Sequence, residues 1–346
     1  MRCVLARFDR IGLAAVSVID SSVHEWARDL LGPRVAVSSL SGGANNYLFR
    51  CLSPEGELVI KRYREQNFGA EVSRRQAEVA FLNHASQTAP EFVPRLLAAH
   101  ESYEMIALSR VDGVTYPAGA RAPNPDVEAA IRFYRQLNED RERVGHYAIA
   151  AREGYLSISE HLTHIEQRLA ALSADHVPAD VRQAARTAID IVKRRFDNAK
   201  EVSLRSITTS EVTDQLPAEN TQLSPGDFGF HNALRRGHTP IFIDFEYAGI
   251  DDPAKTVADF FLQPKIPVDP ALFEQVASAM AISVPVRALK TRSRMLGQLL
   301  SVKWLAIVLA PLDEARYMSF NARYAAEASA ELSRRLSLIS RQTLFE

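Results

Sequence analysis

The chain has 346 residues, enough for about two domains or lobes. Its 47% hydrophobic and 24% charged residues exclude a disordered chain, and a formal net charge of −1 excludes a general nucleic-acid binder, which carries a strong basic excess. Two cysteines, Cys3 and Cys51, are too few for a disulfide framework or a cysteine-rich zinc site, which fits a reducing, cytoplasmic setting.

Residues 1–33 read as an N-terminal extension. Its apolar stretch 11–19 is short, follows Asp9 and Arg10, and has no small-residue cleavage site after it, so no leader is expected. Residues 34–40 (RVAVSSL), 47–52 (YLFRCL) and 57–63 (ELVIKRY) are strand-like. The first turn between them is Ser41-Gly42-Gly43-Ala44-Asn45-Asn46, the second Ser53-Pro54-Glu55-Gly56, and an antiparallel meander follows. Residues 69–85 predict a helix with Val72, Val79, Phe81 and Leu82 toward a core and Arg74, Arg75 and Glu78 around the polar side. Residues 94–99 and 105–108 add two short apolar stretches, and Arg110-Val111-Asp112-Gly113 leads out of the sheet.

Helical spacing then runs over 126–144, 157–172 and 178–202, with Pro178 suited to a first turn. Residues 206–222 read as a loop. Strands at 233–235 and 241–243 flank the turn Gly237-His238-Thr239-Pro240, and the chain is helical again from Pro253. The oily run 295–312 contains Gln298 and Lys303 and reads as a buried helix, with no membrane span expected. The expected architecture is α+β: extension 1–33, antiparallel-sheet lobe 34–108, hinge 109–113, and helical lobe 114–346 carrying a hairpin at 223–246.

The chemistry concentrates in Ser224-Pro225-Gly226-Asp227-Phe228-Gly229-Phe230-His231-Asn232 and, past the hairpin, Ile243-Asp244-Phe245-Glu246-Tyr247-Ala248-Gly249. The hairpin brings Asn232 toward Asp244. An amide oxygen and a carboxylate are hard ligands suited to Mg²⁺, with phosphate oxygens completing the shell. Asp227, outside that pair, can accept a proton from a hydroxyl nucleophile. Upstream, Lys61 lies inside an apolar strand, where a lone ammonium is costly, and Glu78 on the next helix is its candidate partner. Gly42 and Gly43, lacking Cβ atoms, let backbone amides approach a phosphate.

Taken in order, these features resemble the aminoglycoside phosphotransferase and choline kinase-like family, the small-molecule branch of the protein kinase-like fold, over about residues 38–259. The resemblance implies a bilobal fold and transfer of the γ-phosphoryl group of ATP to a small-molecule hydroxyl. It implies Asp227 as catalytic base, Asn232 and Asp244 as Mg²⁺ ligands, and Lys61 on the α- and β-phosphates with Glu78 fixing it. It further implies Ser41, Gly42, Gly43 and Asn45 over the phosphates, and residues 105–110, including Ala107 and Ser109, against adenine.

Two departures stand out. Pro225 replaces the family's common His before the Gly-Asp pair. Thr256 stands where an acid often follows Pro253, with Asp259 the nearest acid downstream. Pro225 also keeps open a non-catalytic nucleotide-binding protein or scaffold. A protein kinase is disfavoured, because the chain runs from Asp244 to Pro253 with little room for a peptide platform.

The acceptor is an amino sugar, an amino alcohol or a sugar. Glu246, Asp251 and Asp252 stand where they can bind an ammonium, meet sugar hydroxyls or stay in solvent. His161 and His164 share helical spacing without further metal ligands and read as a solvated face, and His231 as loop support or substrate contact. Trp304 with Leu305, Ile307 and Val308 reads as core. No residue pattern assigns an oligomeric state.

Overall fold

The computed structural model describes residues 21–40, 46–64, 72–205, 208–324 and 327–339. The chain divides into two units: Met1–Gly154, Gln222–Asp251 and Pro264–Ile282 in one, and Tyr155–Thr221, Asp252–Gln263 and Ser283–Glu346 in the other.

The first unit begins with a helix, α1 (Ser21–Leu31), where sequence reading placed no element. Val23, Trp26 and Ala27 recur at helical spacing and are buried. The strands β1 (Ala36–Leu40), β2 (Asn46–Ser53) and β3 (Gly56–Tyr63) form the expected meander. Helix α2 (Arg74–Thr88) follows, then β4 (Leu96–Ala99) and β5 (Met105–Ser109), giving an antiparallel sheet of order β1-β2-β3-β5-β4. Side chains alternate between faces along a strand. One face gathers Phe49, Cys51, Leu58, Ile60, Met105 and Ala107 under Val23, Trp26 and Ala27 of α1.

Helix α2 starts five residues later than expected. Ser73 caps it, its hydroxyl accepting from Gln76 N while Gln76 returns a side-chain bond to Ser73 N. That start buries Ala77, Glu78, Phe81, Leu82, His84 and Ala85, and leaves Val72 and Val79 only half-buried. Residues 69–71 of the expected helix and the stretch 11–19 lie outside the described residues.

Past β6 (Val114–Thr115), the expected helix 126–144 is two: α3 (Asn124–Asn138) and α4 (Arg141–Gly145). Asp140 interrupts the helix by capping the second piece, accepting from Arg143 N at 3.0 Å. Asn138, fully buried, turns back to bond both the N–H and the carbonyl of Leu223 in β7 (Gln222–Ser224). The hairpin β8 (Ala233–Arg236) and β9 (Thr239–Phe242) pairs with β6, and β10 (Gly249–Asp251) pairs with β7. Phe133 stacks on Phe242 at 4.9 Å between centroids and meets Phe228 and Phe245 at 6.1 and 6.4 Å. Asp126, also buried, accepts from Tyr116 Oη and Arg235 Nε at 2.7 Å each, which fastens β8 to α3.

The second unit is helical. The expected loop 206–222 contains a short helix, Thr209–Thr213, capped by Thr208, and Gln222 already belongs to β7. The helix Pro253–Leu262 is buried at every position, and Val286–Val308 packs along it and along Ala179–Leu204. The oily run is thus a buried helix, and among the described residues no helix is long and apolar enough to cross a membrane. Its Lys303 reaches both oxygens of Asp259 at 3.0 Å. Trp304, half-buried, donates from Nε1 to Asp259 Oδ1 at 2.9 Å.

His161 is buried in the helix Ile158–Ala170, not on a solvated face, and Tyr155 presents a ring edge to it. Its Nε2 has no hydrogen-bond partner among the described residues. Burial first, then the charges of Lys255, Lys303, Arg292 and His164, hold its pKa well below the usual imidazole value. His84, buried against the Leu137 carbonyl, is shifted down chiefly by burial as well. Each keeps its neutral form to a lower pH when folded than in the unfolded chain, which takes up protons at about pH 6.5. The unfolded state binds more protons below that pH, so stability is present above it and is lost as pH falls toward the folded pKa values. Thermal melts between pH 7.5 and pH 5 should show a falling Tm, with a shallower fall for His161→Gln. Parallel slopes in the two proteins would contradict this account.

Candidate active site

Strand alternation places Lys61 and Tyr63 on the face of β3 opposite Leu58 and Ile60, toward α2. The Lys61 ammonium lies 2.5 Å from Glu78 Oε2 and also pairs with Asp244 Oδ1, while Tyr63 Oη donates to Glu78 Oε2 at 2.7 Å. Burial alone would push this ammonium toward neutrality. Glu78, Asp244 and Glu246 outweigh it, and the net shift is upward, so Lys61 is charged. Burial raises the Glu78 carboxyl, and Asp244 adds to that while Lys61 opposes it. The three groups act as one cluster.

Asp244 reaches Lys61 because of how the chain leaves β9. Ile243 N donates to Asn232 O at 2.9 Å, and Asp244 then takes φ 69°, a left-handed conformation that aspartate tolerates better than most residues. Phe242 and Phe245 are buried on either side of this turn. The Phe245 ring stacks on Phe81 at 4.4 Å, one helical turn beyond Glu78 on α2. The same contact therefore registers Glu78 and Asp244 on a common side of Lys61.

The Asp227 loop is held similarly. Gly226 has φ 85°, and a Cβ there would stand 2.6 Å from the Tyr247 carbonyl carbon. That carbonyl is fixed by Arg152 N at 3.1 Å, so only glycine fits. Phe228 and Phe230 are buried anchors flanking the loop. Asn232 Nδ2 donates to the Asp227 backbone oxygen at 3.0 Å and to its Oδ2 at 3.1 Å, while His231 Nε2 lies 3.1 Å from the same Oδ2. With its nitrogen turned to Asp227, Asn232 directs Oδ1 to the other side. The Asp227 and Asp244 side chains are 40% and 38% exposed, against 1% for Glu78.

Some predicted site residues are not gathered here. Ser41, Gly42, Gly43 and Asn45 lie outside the described residues. Ala107 pairs directly with Ile60 and joins the cluster under α1, so its side chain faces away from Lys61. Ser109 shares that face, and its hydroxyl accepts from Arg95 N at 2.9 Å. Neither side chain is on the Lys61 face.

The three open acids are all buried. Glu246 accepts from Asn46 Nδ2 at 2.7 Å and lies 3.9 Å from Arg74. Asp252 caps the helix Pro253–Leu262 and takes Arg292 Nε at 2.6 Å. Asp251 is fully buried in β10. Remaining in solvent is excluded for all three. His231, read from the sequence as loop support or substrate contact, lies beside Asp227, and Asn46, the last residue of the glycine turn, bonds Glu246.

Among the described residues no group of three or more His, Cys, Asp and Glu is placed to hold a metal ion. One carboxylate with one amide oxygen remains compatible with Mg²⁺, which draws much of its shell from phosphates and water.

A family model described as the phosphotransferase enzyme family matches residues 36–279. Among solved structures, a choline kinase from Cryptosporidium parvum Iowa II is 13% identical with a TM-score of 0.53, over 93% of this chain and 97% of that one. A macrolide 2'-phosphotransferase type I is 14% identical with a TM-score of 0.52, over 92% of this chain and 99% of that one. At these identities the likeness is one of fold, a kinase-like α+β fold. No curated protein matches the sequence.

Removing the Lys61 ammonium alone would leave Glu78 buried without its nearest counter-charge. Lys61→Met should therefore cost about 3 kcal/mol in urea unfolding. Lys61→Met combined with Glu78→Gln should lose less than the single change. A loss in the double variant equal to the sum of the Lys61→Met and Glu78→Gln losses would show that the two groups are not coupled.

Proposed function

The chain belongs to the phosphotransferase enzyme family and is a small-molecule kinase; from that premise we propose that it moves the γ-phosphoryl group of ATP, with Mg²⁺, to a hydroxyl of an amino sugar, amino alcohol or sugar. The observation that carries this reading is the meeting of Lys61, Glu78 and Asp244, with Asp227 and Asn232 on the neighbouring loop of the same unit. In this reading Lys61 holds phosphate oxygens and Glu78 holds Lys61. Asn232 Oδ1 and the part-exposed Asp244 carboxylate would hold Mg²⁺. The ion would neutralise charge on the phosphoryl group. Asp227 orients the acceptor hydroxyl and takes its proton. Such a site works mainly by positioning and electrostatics.

The path from Asp244 to Pro253 favours a small acceptor. It consists of a turn and the short strand β10, with no segment that would form a platform for a peptide.

The test is a phosphorylation screen with Mg-ATP and pooled amino sugars, amino alcohols, neutral sugars and nucleosides, read by mass spectrometry. A product should form with the native chain, and Asp227→Asn should lower its rate about 10³-fold while sparing ATP binding. Asp244→Ala should instead weaken Mg-ATP binding by calorimetry. Failure of the native chain to bind ATP would sink the reading. ATP binding with no product from any pool would favour the non-catalytic alternative.

A further inference from the structure

We propose that His231 is a positioning residue for Asp227, its Nε2–H setting the rotation of the carboxylate that meets the acceptor hydroxyl. The inference rests on the phosphotransferase reading and adds a residue to it. Asp227 and His231 are four residues apart, across a loop that closes with the single turn Phe230–Asn232. Phe230 anchors that turn in the core, 5.2 Å from the Tyr116 ring and 6.1 Å from Phe242. The anchored backbone sends the imidazole back to Asp227, where Nε2 stands 3.1 Å from Oδ2. A carboxylate oxygen only accepts, so a bond between these two atoms requires the hydrogen on Nε2.

The torsion that turns an aspartate carboxylate is soft. Asn232 Nδ2 donates to Oδ2 at 3.1 Å and His231 Nε2 stands 3.1 Å from the same oxygen, so two side chains bear on that torsion. Their other duties differ. The Asn232 amide has a second end, Oδ1, assigned above to the metal. His231 Nδ1 is buried with no hydrogen-bond partner among the described residues, which leaves Asp227 as the polar contact of this imidazole. The side chain is 14% exposed, against 40% for Asp227, so the imidazole is the more buried of the two groups. Pro225, on the other side of Asp227, brings no side-chain donor.

The test compares the native chain with His231→Ala, His231→Gln and Asp227→Asn, measuring ADP release from Mg-ATP in the presence of the pooled hydroxyl acceptors. The glutamine amide can place an N–H where Nε2 stands. His231→Ala should lower kcat about 10- to 100-fold with the KM for ATP changed less than about twofold, and His231→Gln should recover most of the loss. Wild-type kcat in His231→Ala, with Asp227→Asn inactive, overturns this inference and leaves the kinase reading intact. Equal losses in the alanine and glutamine variants, with matching falls in Tm, make His231 a loop support and also overturn it. No ADP release from the native chain overturns the reading and the inference together.

Discussion

A positive charge taken out of water must find negative charge at the place where it is buried, and Lys61 imposes that requirement on much of the first unit. Its ammonium is supplied by β3, one counter-charge by α2 and a second by the turn after β9. Each element comes from a different part of the chain. If any one were displaced, a buried ion would lose a partner at a cost of several kcal/mol. The cluster therefore selects one arrangement of sheet, helix and hairpin. The stacked rings of Phe81 and Phe245 supply the apolar side of the same selection, since each lies within a turn of a charged member.

Chemically similar side chains take unlike roles here through exposure alone. Glu78 is sealed beneath Lys61 and Tyr63, whereas Asp227 and Asp244 stand at the surface of the same unit with their backbones tied below. In both loops buried phenylalanines lie next to the acid: Phe228 and Phe230 after Asp227, Phe242 and Phe245 on either side of Asp244. Apolar burial thus helps to fix the backbone beneath each acid. The left-handed turn at Asp244 and the glycine at position 226 mark where the backbone yields beside each acid.

Much of this was legible in the residues. Short β-branched runs and turn dipeptides announced the meander and the hairpin, because strand patterning and turn chemistry are local. The approach of Asn232 to the chain just before Asp244 was legible from the hairpin spacing, and the Lys61–Glu78 pair from the oddity of a lysine in an apolar strand. What escaped depended on partners distant in sequence. The pattern Val23, Trp26, Ala27 gains meaning only once a sheet face exists to receive it. Ala107 and Ser109 were assigned by position along the chain, but strand register decides which face they serve. His161 looked solvated because its i, i+3 partner is histidine, yet the helices around it bury the ring. Glu246 looked available because it follows Asp244 by two residues, whereas Asn46, 200 residues upstream, receives it.

Helix α1 takes part in none of the chemistry. It nevertheless covers Phe49, Cys51, Leu58, Ile60 and Met105, which line one side of a five-stranded sheet. A fragment begun at β1 would keep Lys61, Glu78, Asp227 and Asp244 while presenting that oily side to water. Uncovered sheet faces find each other, and the fragment would clump even with all four of those side chains in place. Eleven residues that touch none of those side chains' ion pairs thus determine where the gene can be cut for expression.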